Sequence, residues 1–432
     1  MDIDGKGVEG EAFVNELAFS SYLKFWCYPG PKDEKGDKKE IADLLIIFND
    51  VVIIISVKNY EFKGLYDRYF RRTLEKAVSQ IYGAERKLFG NKQPLFIKHP
   101  DREAEEFIPA TYPKVHRIIV NLGEDVLFYP SSSLTKGDKF VHILDKSAFE
   151  FIIKELDTIP DLIHYLQSRE DVFAGKDVLM LPGEEHTFDS ETAKQFFEYT
   201  NTNADPGERK AILISGTEYD VLAKYLENEK QFPDYFTDET YTNALLQLDG
   251  AWQDYEAREE VIRKRKHDVV SYFVDDFVKN ELLDKPNELR LNAAKDLLSL
   301  SRLERRVVGQ SFFETFEQYK GKSGWFFGRK HGKVYGVLMS FVIYGTGMKP
   351  EMVDTGLMLA LQGYSLFEKY QTKKSILISA NSNLSQFKFG FMKDIQPPGL
   401  EEEKDLIHDL DKLGRFKNLK TTHYTTKEYP EE

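Results

Sequence analysis

Apolar residues near the start of the chain recur at three- and four-residue steps. Phe13, Val14, Leu17, Ala18 and Phe25, with Ser21 in phase, lie on one side of a helical wheel and predict an amphipathic helix over residues 7–25. The polar, Gly/Pro/Lys-rich stretch from Pro29 to Lys39 reads as a loop. Two almost continuous aliphatic runs follow, Asp43–Phe48 and Val51–Lys58, with Asn49-Asp50 between them. A turn dipeptide between such runs predicts a hairpin, and the lack of alternation predicts strands covered on both faces. Residues 67–88 read as a second helix, and Arg117–Asn121 and Val126–Tyr129 as strands. Residues 139–175 read as a short strand and two helices, the second at Ile159–Arg169.

The pattern changes after Asp171. Polar stretches with Gly and Pro near 174–187 and 201–209 suggest loops, helical periodicity dominates from Thr217 to about Gln318, and the last hundred residues return to mixed elements. There, Lys333–Tyr344 and Ser375–Ser379 are strand-like around a helix near Thr355–Tyr370. The expectation is an α/β protein in which 1–175 forms a domain with a mixed sheet flanked by helices. A linker at 176–209, a mainly helical region at 210–330 and a smaller α/β region at 331–432 would follow.

The 432 residues, 41% of them hydrophobic, suffice for two or three domains. No run approaches the ~18 apolar residues of a membrane span, and the longest, Val51–Val57, has the length of a strand. The start, MDIDGKGVEGE, lacks the basic and apolar segments of a signal peptide. A single cysteine, Cys27, excludes an internal disulfide framework and a cysteine-rich zinc site. A soluble, cytoplasmic protein without membrane association is expected. The net charge of −13 argues against a surface coated for nucleic acid, but residues 58–98 hold ten Lys/Arg against four Asp/Glu. That basic segment permits a nucleic-acid partner.

Four segments carry candidate chemistry: Lys6-Gly7-Val8-Glu9-Gly10-Glu11 at a helix start, Glu40-Ile41-Ala42-Asp43 opening a strand, Ser56-Val57-Lys58-Asn59 closing its hairpin partner, and Ala77–Ala84, with Gln80, on the next helix. Side chains alternate along a strand, so Ser56 and Lys58 share a face, and the hairpin brings Asp43 to the same sheet end. The first helix can add Glu11. Glu40, three residues from Asp43, would point away from it on a regular strand and could supply charge only if the chain bends there. Carboxylates suit a hard divalent ion that keeps its waters, and a nearby ammonium can position a water and stabilise developing negative charge. An ordinary Asp–Lys ion pair at a sheet edge is the alternative.

At these residues the sequence resembles the PD-(D/E)XK nuclease superfamily. It is similar in particular to the branch of nuclease-related domains and methyl-directed restriction endonucleases, which share the Gly-x-x-Gly-Glu start and the helical Gln. The resemblance covers residues 5 to about 175. It implies a restriction-endonuclease-like core, Asp43 as a metal ligand, Lys58 as the catalytic lysine, Glu11 as an acidic helper and metal ligand, and Gln80 as a polar lining residue. It further implies Mg²⁺ or Mn²⁺ as cofactor, nucleic acid, DNA ahead of RNA, as substrate, and a setting in bacterial defence, with a second copy or a defence-system protein as partner. One position departs: the acid two residues before the lysine is Ser56, a neutral and weaker ligand. Loss of catalysis, leaving a nucleic-acid-binding or regulatory protein on the same fold, is therefore the second reading.

Arg68, Arg71, Arg72 and Lys76 fall near one helical face beside this site, where phosphate contact and plain solvation are both open. Gly321-Lys322-Ser323 lacks the P-loop's first glycine, since Phe316 stands there, and Gly345-Thr346-Gly347 reads as a turn. The basic run Arg263–His267 reads as a solvated face. The nine histidines show no His-x-x-x-His spacing, which argues against a zinc hydrolase.

Overall fold

The computed structural model describes residues 3–123, 129–130, 139–181, 210–237, 243–334, 337–412 and 426–431. The chain divides into two units, Met1–Arg258 and Glu259–Glu432, and it is an α/β protein with mixed sheets flanked by helices.

The first unit begins with α1 (Ile3–Ser20), β1 (Cys27–Pro29), β2 (Leu44–Phe48) and β3 (Val51–Lys58). Next come α2 (Tyr66–Phe70), a π-helical turn (Arg71–Glu75) and α3 (Lys76–Phe89). A small hairpin, β4 (Leu95–Ile97) and β5 (Glu105–Phe107), precedes β6 (Lys114–Asn121), β7 (Tyr129–Pro130), β8 (His142–Asp145), α4 (Lys146–Glu155) and α5 (Ile159–Phe173). The expected hairpin forms: Asn49 takes a left-handed φ of 52°, which asparagine tolerates, and Phe48 pairs with Val51. β1 pairs with β2, a strand that periodicity did not signal because it has only three residues.

The main sheet runs β1-β2-β3-β6-β8, antiparallel through β3 and parallel from β3 to β8. Every residue of β2 and β3 is buried, as two covered faces require. Register assigns the faces. Arg117 on β6 binds Glu85 of α3 through two hydrogen bonds of 2.8 and 2.7 Å, and Asn121 meets Tyr69 of α2. Their parallel partners, Ile54 and Lys58 with Ser56 between them, therefore look toward α2 and α3. On the other face, His116 reaches Glu170 of α5. There α1 comes closest at Gly10, where a Cβ would lie 2.9 Å from Leu122 Cδ1 and 3.1 Å from Asn59 Cβ. Only glycine lets the helix descend so far onto the end of β3, and Glu11 is the next residue.

A second sheet, β11 (Asn243–Gln247), β10 (Lys210–Ser215), β9 (Lys176–Leu181) and β7, belongs to the same unit. β9 occupies the first part of the stretch 176–209 expected to be linker, and residues 182–209 lie outside the described residues. The apolar run of β9 is short and sits between Gly175 and Pro182-Gly183, so breaker residues dominate the local signal. β10 and β11 likewise interrupt the region expected to be mainly helical. Of the strand expected at Val126–Tyr129, only Tyr129 is described, in β7. The expected domain end at 175 thus falls inside this unit. Arg169 of α5 and Glu218, first residue of the helix Glu218–Glu227, tie its two sheets together as a pair with no solvent exposure.

The second unit carries the helices Glu259–Asp268, Tyr272–Phe277, Glu288–Leu298 and Arg302–Tyr319 and a sheet ordered β12 (Trp325–Val334), β13 (Val337–Tyr344), β14 (Lys374–Asn381) and β15 (Phe387–Met392). The helix Pro350–Phe367 connects parallel β13 to β14 and packs Val353, Leu357, Leu361 and Tyr364 against Leu338, Val342 and Leu377. Gly321–Ser323 and Gly345–Gly347 form adjoining turns, with Gly345 N donating to Gly324 O at 2.8 Å. In the basic run, Arg265, Lys266 and His267 are exposed, while Lys264 turns in to Asp268 at 2.6 Å. Among the described residues, no helix is long and apolar enough to cross a membrane.

Candidate active site

Asp43 stands one residue before β2, directly opposite Ser56 in the hairpin register. Its Oδ2 accepts hydrogen bonds from Val57 N at 2.6 Å and Ser56 Oγ at 3.1 Å, and the Lys58 ammonium lies 4.0 Å away. That separation is too long for a charge-assisted hydrogen bond, which closes to about 2.7–2.9 Å. Lys58 instead donates to Val57 O at 3.0 Å. Its side chain is 9% exposed, and burial holds its proton affinity below that of an ordinary lysine against the pull of Asp43. Lys76, first residue of α3, pushes it further down, and Glu11 pulls it up.

Glu11 and Glu40 stand on the rim of this sheet end. Burial, then repulsion from Asp43 and from Glu40, raises the proton affinity of Glu11. Burial followed by Asp43 does the same for Glu40. The bend that Glu40 requires is present: residues 41–43 are not strand, Glu40 makes an isolated bridge to Lys32 and the chain bends at Asp43. With the alternation broken, Glu40 comes into the field of Asp43. Asp43 and the exposed Glu11 thus act on one buried ammonium, while the exposed Glu40 acts on Asp43 from the rim.

The donors at this sheet end are carboxylate oxygens, which are the donor chemistry of hard divalent ions. Asp43 Oδ1 receives no hydrogen bond from the described residues, and Asp43 is partly open to solvent. The three carboxylates do not all bring oxygens within 4.8 Å of one another, so an ion here would keep several waters, as Mg²⁺ does. Ser56 is 5% exposed and directs its hydroxyl proton to Asp43, so it orients that carboxylate rather than standing as an independent ligand. Gln80 lies on α3 one turn beyond Lys76 and is exposed. Arg68 in α2 and Arg71 and Arg72 in the π-turn are exposed. Such π-turns are frequent at functional sites, and this one lies between Tyr69, which reaches β6, and Lys76, which acts on Lys58.

Sequence reasoning missed a second polar cluster. His116 Nδ1 and His142 Nε2 both meet Glu170 Oε1, at 2.8 and 3.0 Å, and ligand atoms of the three lie within 4.8 Å of one another. No linear spacing reveals it, because His116 and His142 come together only through the β6–β8 register. Its spacing would suit a transition metal, but its hydrogen bonds do not. Arg169 Nη1 can only donate, and it lies 3.1 Å from His142 Nδ1, so Nδ1 accepts and Nε2 carries the proton directed at Glu170. Neither nitrogen of His142 has a lone pair to give. Burial keeps His142 neutral, with its pKa pushed down to about 4. Burial alone would raise Glu170, but the two imidazole donors outweigh it and hold the carboxyl at about 2. The cluster is a hydrogen-bonded chain from Glu170 through His142 to Arg169.

Comparison with family models, with curated proteins and with solved structures finds no match to this chain.

Proposed function

We propose that the sheet end holding Asp43, Lys58, Glu11 and Glu40 hydrolyses phosphodiester bonds of nucleic acid, DNA ahead of RNA. The observation that carries this reading is the buried Lys58 ammonium, held 4.0 Å from Asp43 without bonding it, beside two further carboxylates of raised proton affinity. Asp43 would hold Mg²⁺ or Mn²⁺ directly, with Glu11 and Glu40 acting through its retained waters, and the ion when bound supplies a more acidic water and polarises the phosphoryl group. Lys58 orients the attacking water and stabilises charge on the phosphoryl oxygens. The water oxygen bonds to phosphorus and gives up a proton to solvent, the bond to the sugar oxygen breaks, and that oxygen departs with a proton from solvent. Asp43 is fixed for its part by Val57 N and Ser56 Oγ. Exposed Arg68, Arg71 and Arg72 give the strand's phosphates a basic approach. A cytoplasmic role in bacterial defence, alone or with a partner protein, accords with the sequence resemblance.

The engagement of Ser56 with Asp43 favours the second reading, a nucleic-acid-binding protein that no longer cuts, because it replaces a charged ligand by an internal hydrogen bond. Incubating the protein with supercoiled plasmid and Mg²⁺ or Mn²⁺ separates the two. Asp43→Ala and Lys58→Ala should each reduce cleavage by about a hundredfold or more without unfolding the chain. Cutting by either variant at the parent rate refutes the assignment, and retention of plasmid without cutting by the parent selects the second reading.

A further inference from the structure

The β3–β6 register sets Asn121, last residue of β6, directly beside Lys58, last residue of β3. In-register residues of parallel strands point to the same side, so the Asn121 amide and the Lys58 ammonium emerge together toward α2 and α3. Asp43 flanks Lys58 from β2, and Asn121 flanks it from β6. Asn121 is buried at 4% exposure, where a polar side chain without a defined role would be costly. One half of its amide is accounted for: Tyr69 Oη donates to Asn121 Oδ1 at 2.8 Å. That bond fixes which way the amide faces and leaves its Nδ2–H donors uncommitted among the described residues.

The hydroxyl's position is itself fixed. Gly123, two residues beyond Asn121, lies so close that a Cβ there would fall 1.8 Å from Tyr69 Oη and 2.9 Å from Tyr60 O. Any larger residue would displace the hydroxyl, so Gly123 allows Tyr69 to reach Asn121. The arrangement joins a donor, an orienting hydroxyl and a glycine that makes room for it.

Resting on the nuclease reading above, we propose that Asn121 is a further catalytic residue, whose Nδ2–H donates to a non-bridging oxygen of the phosphodiester next to Lys58, with Tyr69 as its positioning residue. A neutral, pre-oriented donor adds to Lys58 what a second ammonium could not. It stabilises charge that develops on the phosphoryl oxygens without lowering the proton affinity of Lys58 further. The Asn121 donor would gain most in the transition state, so its loss should appear in kcat rather than KM.

The test compares the parent with Asn121→Asp, Asn121→Ala and Tyr69→Phe on supercoiled plasmid with Mn²⁺, recording kcat, KM and melting temperature. Asn121→Asp keeps the acceptor for Tyr69 and exchanges the donor for a negative charge beside Lys58, so it should lose at least a hundredfold in kcat and raise KM as well. Asn121→Ala, which adds no charge, should lose about a hundredfold in kcat with KM within about twofold. Tyr69→Phe, which keeps the ring and frees the amide to rotate, should lose about tenfold in kcat. Asn121→Asp cutting at the parent rate would reduce Asn121 to a structural acceptor and overturn the proposal, as would a rise in KM alone in Asn121→Ala. If the Asn121 variants melt early, Tyr69→Phe decides, and its parent-like kcat overturns the proposal. A parent as inert as Asp43→Ala and Lys58→Ala would instead refute the nuclease reading, and this inference with it.

Discussion

Replacing Ser56 by aspartate places an acid where the resemblance leads one to expect it, and the structure sets the cost. Ser56 Oγ lies 3.1 Å from Asp43 Oδ2 in a position only 5% exposed, so the new carboxylate would face the old one almost in contact. Two like charges about 4 Å apart repel by about 4 kcal/mol at an effective dielectric constant of about 20. Lys58, 4.0 Å from Asp43, would attract the newcomer and offset part of this, leaving a net loss of roughly 1–3 kcal/mol at neutral pH. The loss should shrink as pH falls, because two adjacent carboxyls can share a proton. Mg²⁺ reverses the balance: the pair is a stronger ligand set than a carboxylate and a hydroxyl, and a cation that binds only the folded state stabilises it by mass action. Ser56→Asp should therefore melt below the parent in chelator and gain more than the parent on addition of Mg²⁺, with tighter binding by calorimetry. Ser56→Asn controls for size and should show neither effect. A Ser56→Asp variant that melts like the parent in chelator, or gains no more from Mg²⁺, would mean that no divalent ion sits beside Asp43.

Neutralising Arg68, Arg71 and Arg72 together should weaken duplex binding similarly for all sequences and flatten the dependence of log K on log salt by about 0.9 for each phosphate no longer neutralised; an unchanged slope would make that face merely solvated. Glu218→Gln should cost about 3–5 kcal/mol in denaturant unfolding, since it leaves the Arg169 guanidinium buried against a neutral partner, whereas a surface-like loss below about 1 kcal/mol would contradict the pairing. The His142–Glu170 hydrogen bond predicts acid lability. His142, with its pKa lowered to about 4, is protonated first in the unfolded chain, so stability should fall as pH drops from about 6.5 toward 4. Glu170, lowered to about 2, loses its contribution as pH drops from about 4.5 toward 2. His142→Phe should flatten the upper part of that profile, and an unaltered profile would exclude His142 as its source.

What the sequence disclosed depended on how locally each feature is encoded. The Asn49-Asp50 turn between two aliphatic runs determines a hairpin by itself, and the hairpin determines that Asp43 and Lys58 share a sheet end. Both are legible because every interaction needed lies within sixteen residues, from Asp43 to Lys58. The role of Gly10 was visible as a motif but not as a cause; the cause is the approach of α1 to Asn59 and Leu122, which are distant in sequence. The position of Glu40 turned on whether the chain bends before β2, which period-two reasoning cannot decide, and the regular strand starts only at Leu44. β9 and β10 were not read as strands because parallel strands are short apolar runs whose partners lie elsewhere in the chain. Asn121, His116 and His142 belong to the same class. Each is an ordinary polar residue in a strand until parallel register sets it beside Lys58 or beside Glu170. Hairpin pairing is written in adjacent residues, whereas parallel pairing is decided by the packing of the helices that cross over. The groups that complete the site and the hydrogen-bonded chain therefore arrive through the part of the fold that one-dimensional patterns specify least.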